Sequence, residues 1–145
     1  MAAIEPPNEA ERTVTHPLKA AMRRTKPVLA LPKGLVDAEE KPIETAIREV
    51  FEETGVVADV IAKLGDIKYV YSRSWGDGQR VFKIVSFYLM GYRSGRINQI
   101  APEMRIEVAR ARWVPLEDAP TLLAYKGEKQ MAQQALDYVM EHPEL

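Results

Sequence analysis

The sequence predicts an α/β domain, and three stretches of the chain carry that prediction. Apolar residues follow helical spacing over residues 42–54, and two β-rich runs flank a glycine turn between residues 64 and 92. Helical patterns return at residues 116–124 and 126–142. With 145 residues, 46% of them hydrophobic, the chain is long enough to bury one core and needs no second domain.

Composition excludes several classes of protein. The chain has no cysteine, which rules out disulfides, zinc–thiolate sites and cysteine nucleophiles. It has no apolar run near the ~18 residues of a membrane span and no apolar signal-peptide core, so we expect a cytoplasmic protein without membrane contact. A formal net charge of -1 gives no overall attraction to nucleic acid.

Residues 1–26 are predicted to form a flexible N-terminal arm. They hold three prolines and many charges, and they lack the apolar alternation that is typical of a strand. The ordered domain is therefore predicted to span residues 27–145, with a short apolar strand at residues 28–31 as its first element.

The helix at residues 42–54 is defined by its two ends and its apolar face. Pro42 suits the first helical position, where a missing N–H costs nothing, and Gly55 suits the left-handed position after the last turn. The residues that share the apolar face are Ile43, Ala46, Ile47, Val50 and Thr54.

Three acids crowd another side of this helix near its carboxyl end. At ~100° per residue, Glu49, Glu52 and Glu53 lie within about a third of the helix circumference. Like charges at this spacing, at the negative end of the helix dipole, cost free energy, so we expect a cation to offset them. Carboxylates suit Mg²⁺ or Mn²⁺ as ligands. Arg48 can pair with Glu44 or Glu52, each one helical turn away, and such a pair would fix the orientation of the carboxylate. A solvated acidic face is the alternative.

The acidic helix belongs to a longer pattern. A glycine is followed after five residues by a glutamate and, after seven more, by Arg-Glu-Val-Phe-Glu-Glu-Thr-Gly-Val. This stretch resembles the Nudix box at all of its fixed positions: Gly34, Glu40, Arg48, Glu49, Val50, Glu52, Glu53, Gly55 and Val56.

The resemblance implies a Nudix hydrolase, built as an α/β/α sandwich around a mixed sheet, that uses divalent metal to hydrolyse nucleoside diphosphates linked to another group. It implies that Glu49, Glu52 and Glu53 are metal ligands, one of them also a candidate base. The Gly34 carbonyl is implied as a further ligand. Arg48 and Glu40 are implied as orienting residues.

The chain departs from the family pattern before the box. Nudix proteins usually carry a glycine-rich apolar strand there, and none is recognisable in residues 1–26. The N-terminal strand is therefore expected to be missing or atypical. A missing strand leaves an exposed sheet edge, and because such edges tend to be paired we expect a homodimer.

Two lysines are candidate phosphate contacts. Lys33 directly precedes the box glycine, and Leu-Pro-Lys-Gly resembles the lead into the box in the dinucleoside polyphosphate hydrolase branch of the family. Lys83 lies in an apolar strand at residues 80–92 that we expect to be central and covered on both faces, where a lysine needs an anion. A surface lysine in a turn and a snorkelling side chain are the respective alternatives.

Two tyrosines are candidate surfaces for the base. Tyr69 and Tyr71 precede the predicted turn at residues 75–78, near the place where that branch carries a tyrosine. A tyrosine can stack on adenine, and a core tyrosine is the alternative. No proline follows the box before Pro102, so the proline that marks many ADP-ribose hydrolases is absent.

The last third of the chain adds one more candidate acid. Glu107 opens a predicted strand at residues 108–114 and resembles the downstream acid that serves many family members as a ligand or base. We prefer it to Glu103, in the preceding loop, because a strand holds a side chain more firmly. The terminal helices are predicted to supply core residues: Leu123, Met131, Ala135, Tyr138 and Val139.

The predicted reaction is attack of water on a phosphorus atom of a P–O–P bridge in a small-molecule nucleotide. Phosphoryl transfer depends on positioning and charge neutralisation, which carboxylate-bound metal ions provide. A dinucleoside polyphosphate is the preferred substrate, with ADP-ribose or a nucleoside triphosphate as alternatives. A silent Nudix-fold ligand-binding regulator or a metal-stabilised interaction module is expected to have lost a box acid, and this chain keeps them all.

Overall fold

Antiparallel strand pairs and helices make up the part of the chain that the computed structural model describes, which is residues 2–5, 28–72 and 80–145. Two 3-10 helices are present, Pro102–Ile106 and Leu116–Asp118. The longer elements in these ranges are β1 (Ala2–Glu5), α1 (Pro42–Thr54), β2 (Val56–Ser72), β3 (Arg80–Gly95), β4 (Arg110–Trp113), α2 (Ala119–Leu122) and α3 (Lys126–Glu141). The predicted α/β class is confirmed.

Helix α1 begins and ends where the sequence predicts. Pro42 is its first residue, and Gly55 follows the last turn with a φ of 84° while its N–H donates to the Phe51 carbonyl at 2.8 Å. The predicted apolar face is wrong at Ile43, which is 45% exposed. Thr54, on the predicted face, is buried, and so are Thr45 and Glu53, which were not on it, so the buried side of the helix includes one of the acids.

Strands β2 and β3 form the predicted hairpin, with Val56 opposite Gly95 and Ser72 opposite Arg80. Strand β2 is continuous from Val56 to Ser72. Register shifts occur between Val60 and Ala62, and again nearby. The predicted glycine turn at residues 75–78 lies outside the described residues.

The prediction that β3 is covered on both faces is wrong for its first half. Phe82 is 60% exposed and Ile84 is 66% exposed, whereas Phe87 and Leu89 are buried. Helix α3 lies against the other face of the hairpin, where Gly127 contacts Ile67. Because side chains alternate along a strand, Phe82 and Ile84 lie on the face opposite the one that α3 contacts.

Strand β1 corrects the expectation that nothing before Pro27 forms a strand. Its four residues pair antiparallel with β4, with Ala2 opposite Trp113 and Glu5 opposite Arg110. Both strand pairs of the described residues, β1 with β4 and β2 with β3, are antiparallel. Residues 6–26 of the predicted arm lie outside the described residues, and both the boundary at residue 27 and the homodimer stay predictions.

A small core ties the segment before the box to the last two helices. Its buried members are Leu29, Val114, Ala119, Leu123 and Ala132, with Leu31 packed against them. The Ala124 N–H donates to the Leu29 carbonyl at 3.0 Å. The predicted core residues Leu123, Met131 and Ala135 are buried, whereas Tyr138 and Val139 are half-buried. Residues 29–34 therefore lie between α1 and the C-terminal helices.

None of the helices in the described ranges is both long enough and apolar enough to span a bilayer.

Candidate active site

Arg48 lies at the centre of the charged network on α1. Its Nε and Nη2 donate to the two carboxylate oxygens of Glu40 at 2.7 and 2.8 Å. Its Nη1 donates to Glu49 at 2.8 Å and to Glu52 at 3.1 Å. The predicted pairing with Glu52 is therefore present, whereas Glu40 and Glu49 take the place of the predicted Glu44. One guanidinium links three box acids.

Glu40 is the best-satisfied acid of this network. Besides its two bonds from Arg48, it accepts a hydrogen bond from the Thr45 hydroxyl at 2.7 Å and one from the Asp37 N–H at 3.2 Å. The Arg48 hydrogen bond is the main reason that the pKa of Glu40 is lowered to about 2. Donors that bind the charged form favour it, so Glu40 is a fixed anion.

Glu53 lies at the other end of the acidic cluster, where the side chain is buried. It accepts one hydrogen bond, from the Lys33 N–H at 2.9 Å. Burial, and then the negative charges of Glu49 and Glu107, raise the pKa of Glu53 to about 8. Burial likewise raises the pKa of Glu49, although Arg48 opposes it. The nearby donors therefore do not offset what it costs to ionise these two carboxyl groups in the metal-free protein.

Gly34 contacts the Glu49 carboxylate with its backbone. A Cβ at residue 34 would overlap the Glu49 Cδ and both of its carboxylate oxygens. Any side chain at this position would therefore displace the carboxylate, which explains why a glycine is needed here. The segment before the box touches two of the predicted metal ligands, through the Lys33 N–H and the Gly34 backbone.

The downstream acid, Glu107, lies in a different local structure from the one that the sequence predicted. Glu107 does not open a strand; it follows the 3-10 helix Pro102–Ile106, and β4 begins only at Arg110. Even so, the charge of Glu107 contributes to the raised pKa of both Glu49 and Glu53. Glu103 lies within the 3-10 helix and has no such influence on either pKa. The preference for Glu107 now rests on its position relative to the box acids.

The ammonium group of Lys33 is held by residues that the sequence analysis did not single out. Lys33 Nζ lies 3.3 Å from Glu128 Oε2 and 4.9 Å from the centre of the Tyr125 ring. Glu128 also accepts the Leu31 N–H at 2.6 Å. A sequence signal existed, because Glu128 lies three and four residues before the buried Met131 and Ala132 and thus shares their apolar stripe.

A cavity of about 420 Å³ lies next to this cluster. Lys33, Gly34, Glu49 and Lys83 all line it, so the box and both candidate lysines share one space. Its walls are mostly apolar. Lys83 itself is exposed, which corrects the expectation that it lies on a buried strand.

The tyrosines predicted for base binding are not part of this cavity as described. Tyr69 lies opposite Lys83 in the hairpin but does not line the cavity. The side chain of Tyr71 lies outside the described residues. The cavity is lined instead by Tyr92 and Trp113, whose rings meet edge to face at 6.3 Å.

The predicted ligands fit a divalent cation by their chemistry. The predicted ligands offer carboxylate oxygens, the donors that Mg²⁺ and Mn²⁺ prefer: Glu49, Glu52, Glu53 and Glu107. The raised pKa of Glu53 indicates that the ionised form of this side chain lacks a cationic partner. Across residues 2–5, 28–72 and 80–145, however, no three acidic or histidine side chains converge as a ready-made metal site. Arg48 occupies oxygens of Glu49 and Glu52 in this arrangement.

Comparison with known proteins decides the family. The profile of the NUDIX domain matches residues 12–135, which is most of the chain. The chain belongs to the NUDIX domain family. The predicted Nudix resemblance is thereby confirmed, and the family match supports the prediction of a Nudix-type pyrophosphohydrolase.

This Nudix chain is similar to two named bacterial proteins. It is 41% identical over 113 residues to the mutator protein MutT4 of Mycobacterium tuberculosis, a match that covers 78% of this chain and 43% of MutT4. It is 48% identical over 42 residues to a protein of Lactococcus lactis subsp. cremoris named as a DHNTP pyrophosphohydrolase, covering 29% of this chain and 25% of that protein. The chain thus spans less than half the length of these relatives.

Solved structures share the Nudix fold with this chain. A MutT protein from Methanosarcina mazei Go1 superposes with a TM-score of 0.57 at 19% identity, covering 94% of this chain and 83% of that one. A UDP-X diphosphatase superposes with a TM-score of 0.51 at 21% identity, covering 77% of this chain and 52% of that one. At these identities the likeness shows the fold.

Proposed function

We propose that this Nudix chain hydrolyses a P–O–P bond in a small nucleotide with the help of a divalent cation. The observation that carries the proposal is the unbalanced acidic cluster beside the cavity. Buried Glu53 has its pKa raised to about 8, with Glu49 and Glu107 acting on it, and Gly34 packs against the Glu49 carboxylate. A cation at this cluster would favour the ionised form of Glu53, which burial and the neighbouring acids otherwise disfavour.

The proposed roles follow from the positions of the side chains. Glu49, Glu52, Glu53 and Glu107 would hold the cation, with the Gly34 carbonyl as a further ligand. When bound, the cation stabilises negative charge on the phosphoryl oxygens and lowers the pKa of water. Arg48 orients Glu49 and Glu52, and Glu40 in turn fixes Arg48. A box carboxylate that the cation leaves free accepts the proton of the attacking water.

Within this reaction class we propose a dinucleoside polyphosphate as substrate. Lys33 and Lys83 line the same cavity as Gly34 and Glu49, and Lys33, although paired with Glu128, has a half-exposed side chain, so both can contact a phosphate chain longer than that of a diphosphate. The Tyr92–Trp113 pair offers an aromatic surface for a base in the same cavity. We propose these two rings for that role in place of Tyr69.

A nucleoside triphosphate is the second candidate substrate. The observation that favours it is the 41% identity to a relative named as a mutator protein, MutT4. Such a substrate needs one base and three phosphates, which a cavity of about 420 Å³ accommodates. A silent ligand-binding regulator is less well supported, because Glu49, Glu52 and Glu53 are all present and all lie near Arg48 or Lys33.

Initial rates on three substrates test the proposal. Diadenosine tetraphosphate, ADP-ribose and dGTP are compared at equal concentration with Mg²⁺, and Glu52→Gln serves as a control for contaminating hydrolases. We expect diadenosine tetraphosphate to be cleaved fastest, because extra phosphate contacts can be made in the transition state. If dGTP is cleaved fastest, a nucleoside triphosphate replaces the dinucleoside polyphosphate as the proposed substrate. If none of the nucleotides is hydrolysed in a Mg²⁺-dependent way, the proposed function itself is contradicted.

A further inference from the structure

Glu128 is a buried carboxylate outside the Nudix box. It lies in the first turn of α3, and only 1% of its surface is exposed. Its neighbours along the helix face, Met131, Ala132 and Ala135, are buried as well. The only other buried acid in the described residues is Glu53, at the predicted metal site.

Stability alone does not account for an acid in this position. Moving a carboxylate out of water is costly, and replacing a buried ion pair by apolar residues is often neutral or stabilising. The cationic partner, Lys33, has a half-exposed side chain, so the pair is only partly enclosed. An apolar residue would fit the stripe of α3 without that cost.

The contacts of Glu128 lead directly to the predicted ligands. One carboxylate oxygen accepts the Leu31 N–H at 2.6 Å, and the other lies 3.3 Å from Lys33 Nζ. On its opposite side the same segment donates the Lys33 N–H to Glu53 at 2.9 Å. One residue further on, the Gly34 backbone packs against the Glu49 carboxylate. The segment is thus held between Glu128 and the two box acids.

We propose that Glu128 is a positioning residue for the metal site, acting through the backbone of residues 31–34. By accepting the Leu31 N–H, it sets where the Lys33 N–H meets Glu53 and where Gly34 meets Glu49. This inference rests on the proposed function, since it takes those acids as the cation ligands. Removal of an outer partner of a metal ligand typically lowers metal affinity about 10–100-fold.

Four variants separate this role from simpler ones. Glu128→Ala removes both contacts, whereas Glu128→Gln keeps an acceptor for the Leu31 N–H and loses the charge that faces Lys33. Lys33→Met removes the ammonium group and leaves the backbone contacts in place. Glu141→Gln, an exposed acid at the end of the same helix, is the matched control.

Two measurements are made on each variant. Binding of Mn²⁺ to the metal-free protein is followed through the electron paramagnetic resonance signal of free Mn²⁺. Hydrolysis of the best nucleotide substrate gives kcat and KM, and thermal unfolding establishes that each variant is folded at the assay temperature.

We expect Mn²⁺ affinity to fall at least about tenfold in Glu128→Ala and by a smaller factor in Glu128→Gln, so that the amide partly rescues binding. The value of kcat should fall in the same order, with KM changed less. Lys33→Met should retain Mn²⁺ affinity close to that of Glu141→Gln and of the wild type.

Two results would overturn the inference. One is wild-type Mn²⁺ affinity in both Glu128→Gln and Glu128→Ala when these variants are folded. The other is a loss of Mn²⁺ affinity in Lys33→Met as large as that in Glu128→Ala, because the Lys33 ammonium group would then account for the effect. If Glu128→Ala does not fold, the comparison of Glu128→Gln with Glu141→Gln decides. A wild-type protein that binds no Mn²⁺ would instead contradict the proposed function.

Discussion

The two ends of the acidic cluster differ in how their charge is balanced. At one end the Arg48 hydrogen bond lowers the pKa of Glu40 to about 2, and Thr45 and Asp37 add further donors. At the other end burial and neighbouring acids raise the pKa of Glu53 to about 8, with one backbone donor opposing them. The protein stabilises the ionised carboxylate at the Arg48 end, here called the balanced end, and disfavours it at the Glu53 end, the unbalanced end, so the cation is expected at the Glu53 end.

The sharpest test of this comparison is to neutralise one acid at each end. Glu53→Gln should lower turnover at least about 100-fold, because a metal ion contributes several kcal/mol of transition-state stabilisation and each 1.36 kcal/mol is tenfold in rate. Glu40→Gln should lower turnover less, by about tenfold, since Glu40 acts through Arg48. Steady-state kinetics with Mg²⁺ measures both. Equal losses in the two variants would remove the distinction between the two ends.

Arg48→Lys should damage the balanced end without changing its formal charge. The guanidinium binds Glu40 with two nitrogens and also reaches Glu49 and Glu52, a geometry that a lysine ammonium cannot reproduce. We expect turnover to fall about 10-fold or more while the variant remains folded. Kinetics and thermal unfolding side by side measure this. Full activity in Arg48→Lys would mean that the positive charge is sufficient and that the geometry of the guanidinium nitrogens is not required.

The unbalanced end should make the metal-free protein less stable as the pH rises. Because the folded pKa of Glu53 lies at about 8 rather than 4.5, the folded state binds more protons than the unfolded state between these pH values. The free energy of unfolding should therefore fall by up to about 1.4 kcal/mol per pH unit in this window, and the stabilisation should be gone above about pH 8. Urea unfolding in chelator from pH 5 to pH 8 measures the slope. Glu53→Gln should flatten it, and an unchanged slope would assign the titration to another group.

The smallest expected effect distinguishes the two downstream acids. Glu107→Gln should lower turnover several-fold more than Glu103→Gln, because the charge of Glu107 acts on both Glu49 and Glu53. Parallel assays of the two variants at saturating Mg²⁺ give the comparison. Should Glu103→Gln be the more harmful change, the auxiliary role belongs to the 3-10 helix Pro102–Ile106.

The box residues could be predicted from the sequence because their geometry is local. Pro42 and Gly55 set the ends of α1, and helical spacing places Arg48, Glu49 and Glu52 within reach of one another. The family pattern added Gly34, which periodicity could not supply. Its contact with Glu49 depends on a loop rather than on a helix.

What the sequence did not predict depends on contacts between distant residues. Glu128 lies on an apolar stripe, but its partners are 97 and 95 residues away in Leu31 and Lys33. The apolar composition of β3 suggested burial on both faces, yet Phe82 and Ile84 are exposed because α3 covers the opposite face. Strand β1 has only four residues and acquires its strand character by pairing with β4. None of these outcomes follows from local periodicity.

The hydrogen bond between Leu31 and Glu128 also has a consequence for folding. It closes a loop of 97 residues, whereas Arg48 and Glu40 are separated by eight. The entropy of loop closure delays distant contacts, so the Arg48 network can form as soon as α1 does, while the segment before the box is fixed only after α3 has docked. During synthesis from the N-terminus, a chain that lacks α3 would therefore carry every residue of the Nudix box without the contact that holds residues 31–34 against Glu53 and Glu49.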